Sequence, residues 1–140
     1  MNTPESLHRL HLLRHFIGHS QRAALAEALH GEESPHFEQT IKTIAAGIAN
    51  MPRPYGTRGQ GDNALVVLHY FRGACDWWIT ERDSTDEQLQ AFGLASLGYT
   101  PELGYISIHE LLRAGVELDL YWHPVTIGEV RAHHRPAFAA

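Results

Sequence analysis

Apolar positions along the first fifty residues recur at helical spacing. In TPESLHRLHLLRHFIGHS, Leu7, Leu10, Leu13 and Ile17 follow one another every three or four residues, and Leu12 and Phe16 widen the stripe. Thr3 stands where an N-cap is wanted and Pro4 at the first helical position. A second helix, rich in Ala and Leu, is predicted from about Gln21 to His30, with Gly31 as its stop. The third pattern is the most regular. Ser34 caps, Pro35 starts, and Phe37, Ile41, Ile44, Ile48 and Met51 form one stripe at spacings of 4, 3, 4 and 3.

The pattern then breaks. PRPYGTRGQGDN, residues 52–63, holds two prolines and three glycines and reads as a linker. From Ala64 the period becomes that of strands. ALVVLHYF is apolar on both faces, as in a central strand. RGA turns the chain into CDWWIT, where Trp77 and Trp78 must point to opposite sides. An acidic turn, ERDSTDE, precedes a third strand near Leu89–Leu94, and a fourth is expected at Gly104–Ile106. Ser107 and Glu110 form a capping box for a short helix ending at Gly115. VELDLYW alternates strictly over 116–122, and Thr126 with Glu129 makes a second capping box. The tail RAHHRPAFAA reads as frayed. These elements predict an α+β fold: three N-terminal helices (1–51), the linker (52–63), and a mainly antiparallel sheet of about five strands with two short helices (64–140).

Composition narrows the class. A 140-residue chain with 44% hydrophobic and 19% charged residues suits one globular unit. No apolar run approaches bilayer length, and the N-terminus, broken by histidines and arginines, does not read as a signal peptide. The single cysteine, Cys75, permits no intrachain disulfide, so a cytoplasmic setting is expected. A net charge of −5 argues against a charge-driven grip on nucleic acid.

Four histidines fall within residues 6–20. On one continuous helix His8, His11, His15 and His19 share about 80° of arc at 100° per residue. An i, i+4 pair such as His11 and His15, or His15 and His19, can chelate zinc, but a site wants a third ligand. Glu5 lies too early to supply one, and there is no HExxH motif. A polar, solvated or partner-facing stripe is therefore the favoured reading, with no metal and no cofactor expected. One equivalent of zinc should leave the melting temperature unchanged.

Other candidates are weaker. GTRGQG precedes a strand, whereas a phosphate cradle follows one and opens a helix; a flexible linker is favoured, on which Tyr55, Arg58 and Gln60 would suit partner contact. Cys75 has His69 or His109 as conceivable bases, yet a lone cysteine beside tryptophan is more often a small core residue. Asp76, Glu81 and Asp83 could act in acid–base or cation chemistry, but ERDSTDE reads first as a solvated turn. No catalytic motif stands out.

DWWITERD, ELGYISIHEL and VELDLYWHPVTIGEV, in this order over roughly residues 64–130, resemble a family of small plasmid- and phage-borne proteins catalogued as a domain of unknown function, DUF2958. The positions matching its pattern are Trp78, Glu81, Glu102, Leu103, Gly104, Tyr105, Glu117, Asp119 and Trp122. The resemblance implies a setting, an accessory protein of a mobile element, and assigns no catalytic residue. Glu102 and Glu117 lack an evident structural explanation and are the better functional candidates.

The leading expectation is a non-catalytic protein that binds and inhibits a host protein complex, such as a nucleic-acid-guided defence complex (an anti-CRISPR-like role). Its acidic and aromatic face would meet basic channels. That face would comprise Asp76, Trp78, Glu81, Asp83, Asp86 and Glu87, together with Glu102 and Glu117. One alternative is a metal-assisted hydrolase or nucleic-acid-modifying enzyme using His11, His15 and a carboxylate. Another is a self-associating structural component. Neither a membrane nor strong direct nucleic-acid binding is expected.

Overall fold

The structure is a computed structural model and describes residues 3–138. Three helices come first: α1 (Thr3–Leu12), α2 (His19–Ala28) and α3 (Ser34–Ala49). A 3-10 turn at Gly61–Asn63 leads to strands β1 (Leu65–Val66), β2 (Leu68–Arg72), β3 (Cys75–Glu81), β4 (Ala91–Ser96) and β5 (Glu102–Ile106). Helix α4 (Ile108–Arg113), strands β6 (Glu117–Leu118) and β7 (Val125–Thr126), and helix α5 (Ile127–His133) follow. The fold is α+β. Its centre is a five-stranded sheet in the order β5-β4-β3-β2-β6, every neighbour antiparallel, beside a two-stranded ribbon of β1 and β7.

The sheet is covered on both faces. Leu68, Tyr70, Ile79, Ala91 and Ile106 pack with Leu10, Leu13, Ile17, Leu25, Ile41 and Ile48 of the helical layer. On the opposite face Trp78 and Leu94 pack with Ala64, Val66, Ile127 and Val130 of the ribbon and α5. Trp77 joins the first cluster and Trp78 the second, as alternation requires.

Several elements differ from their sequence patterns, each for a tertiary reason. Helix α1 stops at Leu12, and Leu13, Phe16 and Ile17 reach the core from turns. There the buried Tyr70 hydroxyl donates to the Phe16 carbonyl at 2.6 Å, and Arg22 Nε donates to the Ile17 carbonyl at 2.9 Å. The Phe16 carbonyl that a longer helix would use internally is bonded across the fold, and the Ile17 carbonyl is taken by a side chain at the start of α2. ALVVLHYF splits at Val67 into β1 and β2, because β1 leaves the central sheet to pair with β7. VELDLYW forms only the two residues of β6. Asp119 then turns the chain, its Oδ1 accepting from the Tyr121 N–H at 3.1 Å. Thr126 with Glu129 forms both halves of a capping box, and Ser107 forms only its own half, its Oγ accepting from the Glu110 N–H; Ser34 is not a cap but the first residue of α3, whose N-cap is Glu33. Among the described residues, no helix is long and apolar enough to cross a membrane.

Candidate functional site

On the α5 face of the sheet two clefts open, one on each side of α5 and the β1–β7 ribbon. The larger, about 640 Å³, lies between the 55–61 loop, the end of β3, Phe92 of β4, Leu103 and Tyr105 of β5, and Ile127. A register shift in β3 builds its floor. Ile79 pairs with Gly93, but Glu81, not Thr80, pairs with Phe92. By simple alternation Glu81 would share the helical face with Ile79. The extra residue carries it to the other face, beside Phe92 and Tyr105.

Glu81 is only 6% exposed. Its carboxylate accepts from the Tyr55 N–H at 2.9 Å, from the Thr57 N–H at 3.0 Å, and from the Thr57 hydroxyl. The proline- and glycine-rich segment is thereby held against the sheet as a cleft wall, and the Pro52 carbonyl accepts from the Arg82 N–H at 3.0 Å. Tyr55 adopts a left-handed backbone with φ 67°, an uncommon conformation for a bulky side chain. Interaction with the Tyr55 side chain, above all, pushes the Tyr105 hydroxyl above its ordinary pKa, with burial and the Glu81 charge adding smaller upward contributions. Both rings stay open to solvent, Tyr55 at 67% and Tyr105 at 62% exposure, with Leu103 exposed beside them and Arg58 at the rim.

The second cleft, about 410 Å³, is lined by His69, Asp76, Trp78, Trp122, Glu129, His133 and His134, among others. Here His69 bridges three segments. Its Nε2 lies 2.8 Å from Asp76 Oδ1 and its Nδ1 3.2 Å from Asp119 Oδ2. The ring stacks on Trp78 at 5.6 Å and leans on Trp122 at 5.0 Å. Burial pulls the imidazole pKa down, but the hydrogen bonds and charges of Asp76 and Asp119 outweigh it, and the net shift is upward. With both nitrogens committed to carboxylates, His69 has no free lone pair for a substrate proton.

The acidic face expected from sequence is dispersed. Glu81 is buried under its loop. Asp83 is buried too, accepting from the N–H groups of Ser84, Leu89 and Gln90 and from the Thr85 hydroxyl. Burial alone would raise the Asp83 pKa; bonds from Gln90, Thr85 and Ser84 bring it below the ordinary value. Asp83 therefore organises the loop, and reversing it or Glu81 to lysine would disturb folding before it tested an interface. Asp76 is half-buried against His69, and Trp78 is core. Asp86 and Glu87 are exposed in the β3–β4 loop, Glu102 is exposed at the start of β5, and Glu117 is exposed on β6. Tyr55 and Arg58 do meet at a cleft, while Gln60 is exposed and donates back to the Gly56 carbonyl. Tyr105 and Leu103, absent from the expected contact set, prove to be its lip.

The histidines do not share one helix face. His8 and His11 lie on α1, His15 in the following turn, and His19 opens α2. Among the described residues, no group of three or more His, Cys, Asp or Glu side chains is arranged to hold a metal ion. Cys75 is half-buried, and its place opposite Arg72 puts it on the sheet face away from His69.

Neither the curated proteins nor the solved structures yielded a match. A family model, described as a protein of unknown function (DUF2958), matches residues 39–124, from within α3 to the residue before β7. The matched stretch contains Tyr55, Glu81 and Tyr105 of the larger cleft and His69, Asp76 and Asp119 of the smaller, but not α5, which separates them. This is more than half of the chain, which belongs to the DUF2958 family of proteins of unknown function.

Proposed function

We propose that the protein is a non-catalytic binding protein whose larger cleft receives a basic side chain of a partner protein. The observation that carries this reading is the Glu81 carboxylate at the floor of a cleft lipped by two exposed tyrosines. Aromatic faces attract guanidinium and ammonium groups, and a carboxylate in a partly dehydrated cleft adds a charge that bulk water screens weakly. Tyrosine at the lip also brings a large, stiff contact area, which is why it recurs among the anchors of protein interfaces. Glu81 accepts three hydrogen bonds of the roughly four a carboxylate can take. It therefore acts mainly through its charge, and the rings supply contact.

The partner we propose is a host protein complex met in the cytoplasm by a product of a mobile element. A nucleic-acid-guided defence complex is one such target, because its arginine- and lysine-rich channels present the basic side chains this cleft suits. The chain's net charge of −5 favours approach to such a surface. A metal-assisted hydrolase has less support: His11 and His15 lie on different segments, and His69 is closed by two carboxylates.

The test is a side-chain probe. N-acetyl-arginine amide, titrated into isotopically labelled protein, should shift the amides of residues 55–58, 81 and 103–105, whereas the citrulline analogue should not. Equal shifts from both compounds, or none in this region, would remove the reading.

A further inference from the structure

The five-stranded sheet has two edges, and the fold treats them differently. At one, β6 is two residues long and is closed by a side chain. Gln21 Nε2 donates to the Leu118 carbonyl at 2.7 Å, and its Oε1 accepts from the Leu118 N–H at 3.0 Å. A glutamine amide thus occupies the hydrogen-bonding position of a further strand. At the other edge, β5 runs for five residues and, among the described residues, pairs only with β4. Glu102, Leu103 and Tyr105 are exposed along it, and a Cβ added at Gly104 would meet nothing within 4 Å. A row of N–H and C=O groups of this length, unpaired among the described residues, is a template for an added strand.

What that strand must carry follows from its neighbours. Leu103 pairs with Leu94 and Tyr105 with Phe92, so both lie on the cleft side of the sheet. A strand laid along β5 puts alternate side chains beside Leu103 and Tyr105 and the intervening ones on the other side. The residue beside Tyr105 stands at the mouth of the cleft that Glu81 floors. We infer that the partner segment binds as a sixth strand on β5, an extended peptide with a basic residue beside Tyr105 and an apolar one two positions away beside Leu103; this rests on the cleft reading above. A second copy of this chain fits poorly. Glu102–Ile106 contains no Lys or Arg to fill the cleft, and each copy brings a net charge of −5.

The experiment uses the full chain and the acetylated, amidated peptide TVTRTVT, whose valines and arginine share one face when extended. Two further versions carry N-methyl groups on alternate amides, one set on the odd positions and one on the even. Strand addition predicts that TVTRTVT shifts the β5 amides and binds at least tenfold more tightly than N-acetyl-arginine amide. It predicts that one N-methylated version loses this advantage while the other keeps it, since only one row of amides faces β5. Binding of arginine amide with no gain from the peptide, or with both N-methylated versions equally tolerated, overturns the strand and leaves the cleft reading standing. No shift with either compound overturns both. Dilution-dependent shifts of β5 amides in the free protein would mean that a second copy takes the edge, which also overturns the inference.

Discussion

At the scale of single residues, two charged side chains join distant parts of the chain, and each can be removed with a readable consequence. Glu81 ties residues 55–57 to β3. Glutamine in its place offers one oxygen where two accept, so a donor is left buried without a partner, at about 2 kcal/mol. Glu81→Gln should lower unfolding stability by that order and speed tryptic cleavage after Arg58 in the native state; unchanged proteolysis would mean that the loop does not depend on the carboxylate. His69 acts differently. Its folded pKa is raised by Asp76 and Asp119 above the unfolded value of about 6.5. The folded state therefore holds the proton more tightly. The resulting stabilisation is fully present below pH 6.5 and is lost as pH rises through the folded pKa. Stability of the wild type should fall more between pH 6 and 9 than that of His69→Gln. An NMR titration placing the His69 pKa at or below 6.5 would contradict the ion-pair account.

At the scale of elements, the legible parts of the fold were those set by local chemistry. The stripe from Phe37 to Met51, the paired tryptophans and the caps at Ser107 and Thr126 follow from periodicity and hydrogen-bonding chemistry that neighbours in sequence supply. Thr126→Ala should cost about 1 kcal/mol, as the loss of a side-chain cap does; no change in thermal or urea unfolding would show α5 to be held by packing alone. What could not be read were choices made across the fold. The end of α1 depends on Tyr70, fifty-four positions from Phe16. The split of ALVVLHYF depends on β7, and the shift that turns Glu81 into the cleft depends on the pairing of β3 with β4. Glu81 was visible as a candidate, but its burial was not, because a carboxylate in ERDSTDE reads as solvated until its three donors are placed. The Asp76–His69–Asp119 bridge was equally hidden, since its members are separated by 7 and 50 positions. Gly93 gives the strongest test of the β3–β4 geometry. A Cβ there runs into the Trp78 carbonyl oxygen, a backbone atom that cannot swing aside. Gly93→Ala should destabilise by about 3 kcal/mol or more in denaturant unfolding. A loss under 1 kcal/mol would mean that β4 lies farther from β3.

At the scale of the whole molecule, the helices and α5 cover the two sheet faces, one strand edge is closed by Gln21 and the other is unpaired among the described residues beside the larger cleft. The exposed side chains of Tyr55, Leu103 and Tyr105 line the larger cleft, whereas the exposed carboxylates of Asp86 and Glu87 lie in the β3–β4 loop. On the proposed reading the two regions would contribute separably to binding: charge at the loop to the rate of encounter, contacts at the cleft to the lifetime of the complex. The measurement that tests the central claim most directly is the affinity of the proposed host complex, if one is recovered with the tagged chain, for wild type, Tyr105→Ala and the double variant Asp86→Lys, Glu87→Lys. The cleft account predicts at least a tenfold loss for Tyr105→Ala through faster dissociation, with an unchanged melting temperature, and little change in dissociation for the loop variant. Wild-type affinity in Tyr105→Ala, with the loss confined to the loop variant, would contradict it.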